Sequence, residues 1–125
     1  MLFHITVTFE DDHVLALTEG DKDYEFLEQL WPKIARVCER HQCFRVLGIA
    51  NTRTPVEAVE GYELPRIFHE NNIDQRYRIA WVEKNQDAAD VITLIASILQ
   101  NRDLPGRQFS TVEEAREWLL EDSPT

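Results

Sequence analysis

The stretch from Tyr77 to Leu120 constrains the fold most. It reads as strand, helix, strand, helix. Tyr77-Arg78-Ile79-Ala80-Trp81-Val82 is a short apolar run, and Ala88 to Gln100 repeats apolar residues at helical spacing. Arg107-Gln108-Phe109 is a brief second strand. Ser110 and Glu113 then form a capping box that opens a last helix ending at Trp118-Leu119-Leu120. A helix of about a dozen residues between two strands is long enough to carry the chain back across one sheet face, so these strands are predicted to run parallel. Ile79, Trp81, Ile95, Ile98, Phe109 and Trp118 are the expected contributors to the core.

The earlier part of the chain fits the same plan. Ile5, Val7 and Phe9 alternate with threonines, and His13 to Leu17 is a second strand. A turn at Glu10-Asp11-Asp12 joins them as an antiparallel hairpin, with Val14 and Ala16 on the same face as Ile5, Val7 and Phe9. Thr18 to Asp23 reads as a polar loop. Tyr24, Leu27, Leu30, Trp31, Ile34, Val37, Cys38 and His41 form one helical stripe, with Pro32 expected to kink or restart the helix. Phe44 to Ile49 is a buried strand and Asn51 to Pro55 a loop. Val56 to Asn72 is helical in parts, with Leu64, Ile67 and Phe68 inward, Gly61 and Pro65 as breaks, and Asn71 and Asn72 as terminators. Asp87 is placed to cap the helix from Ala88, and Leu104-Pro105-Gly106 is a turn. The expected architecture is α/β: a single domain over residues 1–120, a mixed, mostly parallel sheet with an N-terminal antiparallel hairpin, helices covering it, and a polar tail at 121–125.

Composition narrows function by exclusion. Lys and Arg number 13 against 23 Asp and Glu, giving a net charge of -10. Such a field repels nucleic acid and anionic membranes, which need clustered basic residues. No apolar run approaches the roughly 20 residues that span a bilayer, and the N-terminus lacks the pattern of a secretory signal. A cytoplasmic location is expected. Two cysteines are too few for a disulfide scaffold.

Few residues suggest chemistry. Cys38, His41 and Cys43 lie close together, but a structural zinc site needs four ligands, so they read as core or half-exposed thiols beside a histidine. His4, His13 and His69 are scattered, with no nucleophile placed beside any of them. Gly20, Gly48, Gly61 and Gly106 are isolated, which excludes a phosphate-binding glycine loop. Glu10, Asp11 and Asp12 read as a solvated turn. No metal, cofactor or catalytic residue is expected, and the chain is not read as an enzyme. The binding residues predicted are Asn51, Thr52, Arg53 and Thr54, because they follow the strand best placed to be central, on the usual ligand side of an open α/β sheet. Arg53 offers a planar fork for a carboxylate or phosphate.

Arg78-Ile79-Ala80-Trp81-Val82, a helix, Arg107-Gln108-Phe109 and Glu113 to Leu119 together resemble the end of STAS-like domains, the sulfate transporter and anti-sigma factor antagonist group, and also the CRAL-TRIO lipid-exchange fold. The order of the earlier elements agrees. Anti-sigma antagonists carry a phosphorylated Ser preceded by Asp after the central strand. The corresponding stretch, Ile49-Ala50-Asn51-Thr52-Arg53-Thr54-Pro55, has no Asp-Ser pair, leaving Thr52 or Thr54 as substitute acceptors. The better match is the atypical STAS-like group of small bacterial proteins of uncharacterised role. The resemblance implies a regulatory, protein-binding module whose partner docks at the loop from Asn51, with homodimerisation a further option and Trp31 or Tyr62 as surface candidates. Its alternative is a domain that binds a small apolar ligand or lipid in a pocket between helices and sheet, under Leu64 and Phe68.

Overall fold

The computed structural model describes residues 3–21, 23–54, 62–104 and 106–121, the side chains of Thr54 and Asp87 excepted. Five strands form one sheet in the order β1-β2-β3-β4-β5: β1 (Phe3–Phe9), β2 (Val14–Asp21), β3 (Arg45–Thr54), β4 (Arg78–Glu83) and β5 (Arg107–Phe109). Four described helices accompany them: α1 (Tyr24–His41), α2 (Leu64–Glu70), α3 (Gln86–Asn101) and α4 (Val112–Leu119). β1 and β2 are antiparallel and the other neighbours parallel, including the predicted pair β4 and β5.

The hairpin register sets Val7 opposite Ala16 and Phe9 opposite Val14, so the expected apolar row forms. Asp11 takes the left-handed conformation (φ 67°) that the tight connection needs. The Asp12 carboxylate accepts from His13 Nδ1 at 2.7 Å, which holds it below the usual carboxylate range.

Thr18 to Asp21 is strand, not loop. Its backbone pairs with Asn51, Thr52 and Thr54 of β3, so polar residues here are held by a parallel ladder on their second side. α1 is one continuous helix through Pro32. Asp23 caps it by accepting from Phe26 N at 2.8 Å. Gln42, in the left-handed conformation (φ 50°), ends it. The Cys43 amide then donates back to the Cys38 carbonyl, the wrap-around bond of a Schellman turn. Phe26 and Ala35 join the buried stripe, while Val37 is half-buried and His41 lies outside, stacked on Phe9 at 4.3 Å.

Pro65 starts α2 instead of breaking it, since the first turn needs no donor there. Leu64, Ile67 and Phe68 are its buried residues, and Asn71 caps its end. The expected helical residues Val56 to Gly61 lie outside the described residues, as does Pro105. α3 begins at Gln86, so Asp87 sits within the first turn and not ahead of it. α4 is capped one residue later than the sequence suggests: Thr111 accepts from Glu114 N at 3.1 Å and faces the Glu114 carboxylate at 3.3 Å. Residues 122–125 lie outside the described residues.

Strand alternation divides the core. Val46 and Ala50 of β3 and Ile79 and Trp81 of β4 meet α1, α2 and α3 in the larger cluster. Leu47, Ala80 and Val82 point the other way and meet Ala115 and Leu119 of α4, with Phe109 and Trp118 packed at its margin. Among the described helices, α4 alone covers this second face. Over β1 and β2 no described helix packs on the same face, and Leu17 is 42% exposed.

Candidate functional site

Two places in the fold could hold a partner. The first is the carboxyl end of the parallel strands. The run from Asn51 to Thr54 is the end of β3 rather than a loop, because β2 runs alongside it and gives Asn51, Thr52 and Thr54 their ladder partners, whereas the pairing with β4 stops at Ala50. Strand alternation then separates its side chains. Asn51 and Arg53 are exposed, Thr52 is buried at 2% exposure, and the Thr54 side chain lies outside the described residues.

Thr52 is tied to Glu83, the last residue of β4 and itself only 4% exposed. The Glu83 carboxylate accepts from the Thr52 amide at 3.0 Å and from the Thr52 hydroxyl. It also accepts from the Asn85 amide at 3.1 Å, and the Asn85 side chain returns a bond to the Thr52 carbonyl. A buried carboxylate is tolerated only when donors surround it in this way. The knot holds β3, β4 and the start of α3 together. It also uses the Thr52 hydroxyl as a donor inside the protein, so this hydroxyl is not presented for phosphoryl transfer. Glu83 carries no motif, and a carboxylate closing an apolar strand reads as a surface residue; sequence reasoning passed over it.

Arg53 bonds Asp21 in fork fashion, Nε to Oδ1 at 2.9 Å and Nη2 to Oδ2 at 3.1 Å. The pair bridges the bulged end of β2 and the end of β3 at the surface, with the Arg53 side chain 61% exposed. Beside it a shallow polar hollow of about 410 Å³ is lined by Phe3, His4, Glu19, Gly20, Asn51, Thr52 and Arg53.

The second place is a cavity on the helix face of the sheet. It has a volume of about 70 Å³. α1 supplies Phe26, Leu27, Leu30 and Trp31, α2 supplies Leu64 and Phe68, the sheet supplies Ile79 and Trp81, and α3 supplies Ile92, Ile95, Ala96 and Leu99. Gly106, Arg107 and Gln108 close one side. Aromatic contacts shape the wall: Trp31 stands edge-on to Phe68 at 4.7 Å and tilted to Trp81 at 5.8 Å. The Trp31 indole N–H is buried without a hydrogen-bond partner among the described residues, an uncommon state for a polar atom in a packed interior. Trp31 is thus a wall residue and not a surface one, whereas Tyr62 is 57% exposed.

The remaining candidates are placed as follows. Cys38 is fully buried and burial pushes its thiol up to about 12, while Cys43 is half-buried. His13 is buried in the turn just ahead of β2. Among the described residues no helix is long and apolar enough to cross a membrane.

No protein-family model matches the chain, and no curated protein matches it in sequence. A solved structure is similar over nearly the whole length: a protein of the DUF3478 family with a SpoIIAA-like fold from Shewanella loihica PV-4. It shares 11% identity, with 94% of this chain and 93% of that one covered, at a TM-score of 0.56. At that identity the likeness speaks for the fold. The mostly parallel sheet with an N-terminal antiparallel hairpin, as the sequence suggested, is that of a SpoIIAA-like, that is STAS-like, α/β fold.

Proposed function

We propose that the chain is a non-enzymatic STAS-like binding module that takes a small apolar ligand, or the apolar end of a lipid, in the cavity between α1, α2, α3 and the sheet. The observation that carries this reading is the cavity itself, walled by apolar side chains from three helices and from β4. Its volume of about 70 Å³ exceeds the ~10–15 Å³ a single water needs, yet an apolar wall gives water few partners. Drug-sized sites run to roughly 300–1,000 Å³, so the ligand fits as one ring or a few methylenes. The unpaired Trp31 N–H can donate to a polar atom of that ligand, and Arg107 and Gln108 stand at the side where a head group would lie.

Butanol and butanoic acid are suitable probes. Trp31 and Trp81 line the cavity, so saturable quenching of tryptophan fluorescence by either compound is the expected result. Ala96→Phe fills the space from α3 and should abolish the change while the thermal transition survives. Quenching that persists in Ala96→Phe, or linear quenching without saturation, would sink the reading.

A second reading is favoured by the polar hollow at the strand ends. There a protein partner docks on Asn51 and Arg53, with Thr52 and Thr54 belonging to the same strand end as candidates. Arg53→Ala should then weaken capture of the partner with little change in thermal stability, because the exposed pair with Asp21 contributes little to folding. Unchanged capture by a folded Arg53→Ala protein argues for the cavity alone.

A further inference from the structure

We propose that the outer edge of β1 is a self-association surface, on which a second copy of this chain lays its own β1 antiparallel to continue the sheet. β1 borders the sheet, and among the described residues its ladder partner is β2 alone. Soluble proteins blunt such edges with charges, proline, bulges or short strands, because an open row of N–H and C=O groups templates another strand. β1 has none of these devices. Its seven residues, Phe3-His4-Ile5-Thr6-Val7-Thr8-Phe9, include no Asp, Glu, Lys, Arg, Pro or Gly. Its register against β2 runs without a bulge from Phe3 to Phe9. The opposite edge is blunted: β5 has three residues and begins with Arg107.

The strand is also self-complementary. Antiparallel pairing about a twofold axis at Thr6 sets Phe3 opposite the second copy's Phe9, Ile5 opposite its Val7, His4 opposite its Thr8, and Thr6 opposite its Thr6. Aromatic, branched and hydroxyl pairs of this kind stabilise neighbouring strands. Phe3, Ile5, Val7 and Phe9 are each only half-buried against the core, so a neighbouring strand would complete their burial. Charge favours the same occupant. In a chain of net charge -10, a surface that meets its own copy must avoid acidic residues, and β1 does. Among the described residues each copy has a single long open edge, so the pairing closes at two instead of growing into a fibre. The contact is narrow, below the size of permanent interfaces, so the dimer is expected to exchange at micromolar concentration.

Sedimentation equilibrium from low to several hundred micromolar tests this. The wild-type chain should show a monomer–dimer equilibrium. Thr6 faces solvent, so Thr6→Lys and Thr6→Glu should each fold with an unchanged thermal transition and each weaken the dimer at least tenfold, since like charges then face each other across the axis. Mixing the two variants should restore a dimer. Thr6→Cys should cross-link under mild oxidant while the wild-type chain does not, a readout that stands even if a charged variant folds poorly. A wild-type chain that stays monomeric throughout overturns the proposal. So does a Thr6→Lys dimer as tight as wild type, or a Thr6→Cys chain that never cross-links.

Discussion

Single residues decide how β3 and β4 fit together. Gly48 has no conformational eccentricity; what it supplies is room. A Cβ there would lie 2.0 Å from Trp81 Cε3, so the indole rests directly on the glycine backbone and from there forms a cavity wall. Gly48→Ala is expected to displace the ring and cost ~1–3 kcal/mol or more, seen as a lower denaturant midpoint and altered tryptophan fluorescence. At the strand ends, Thr52→Val keeps shape but removes a donor from the buried Glu83 carboxylate. A loss of ~1–3 kcal/mol is expected; chemical denaturation measures it, and an unchanged midpoint would mean that the carboxylate finds another donor. Neither pairing was legible in the sequence. Gly48 looked like a lone interruption in an apolar strand, and Thr52 looked like part of a polar loop. Both roles depend on a strand more than thirty positions away, and no local pattern encodes that neighbour.

Elements were more legible than their ends. Apolar periodicity located the hairpin, α1, β4, α3, β5 and α4, because each buries one face and the spacing of that face is visible. Polar strand ends defeated the same reasoning. Thr18 to Asp21 and Asn51 to Thr54 are strand because they pair with each other across β2 and β3, a long-range backbone effect that side-chain polarity does not report. The cap of α4 shows a smaller error. Ser110 and Glu113 satisfy the capping pattern, as do Thr111 and Glu114, and the structure uses the second pair. Thr111→Ala should therefore cost about 0.5–2 kcal/mol, with Ser110→Ala near neutral by thermal unfolding. The reverse order would place the cap at Ser110. α4 carries more weight than its eight residues suggest, since it is the one described helix on its face of the sheet. Arg78 reinforces it from β4, donating to the Trp118 carbonyl at 2.9 Å and 3.1 Å with its guanidinium 3.8 Å from the centre of the Trp118 ring.

At the scale of the whole molecule, the buried end of α1 makes Cys38 a reporter of global unfolding. It packs in the larger core with no exposed surface, and burial raises its thiol from about 9 to about 12. Tyr77, also buried, is shifted upward for the same reason. The sign of the consequence follows from linkage. Below about pH 9 the thiol is neutral in folded and unfolded chains alike and contributes nothing to the pH dependence. Between about 9 and about 12 the unfolded chain releases the proton while the folded chain keeps it, so stability falls as pH rises, by up to about 1.4 kcal/mol per pH unit from this one group. Denaturant midpoints measured from pH 7 to alkaline pH should decline above about 9, and Cys38→Ala should flatten that decline while lowering stability at neutral pH. Alkylation gives an independent check: at neutral pH the half-buried Cys43 should react first, and Cys38 only at the rate of global opening. If Cys38 is modified as fast as Cys43 in the native protein, α1 opens locally, and the helix wall of the cavity is far less fixed than its packing implies.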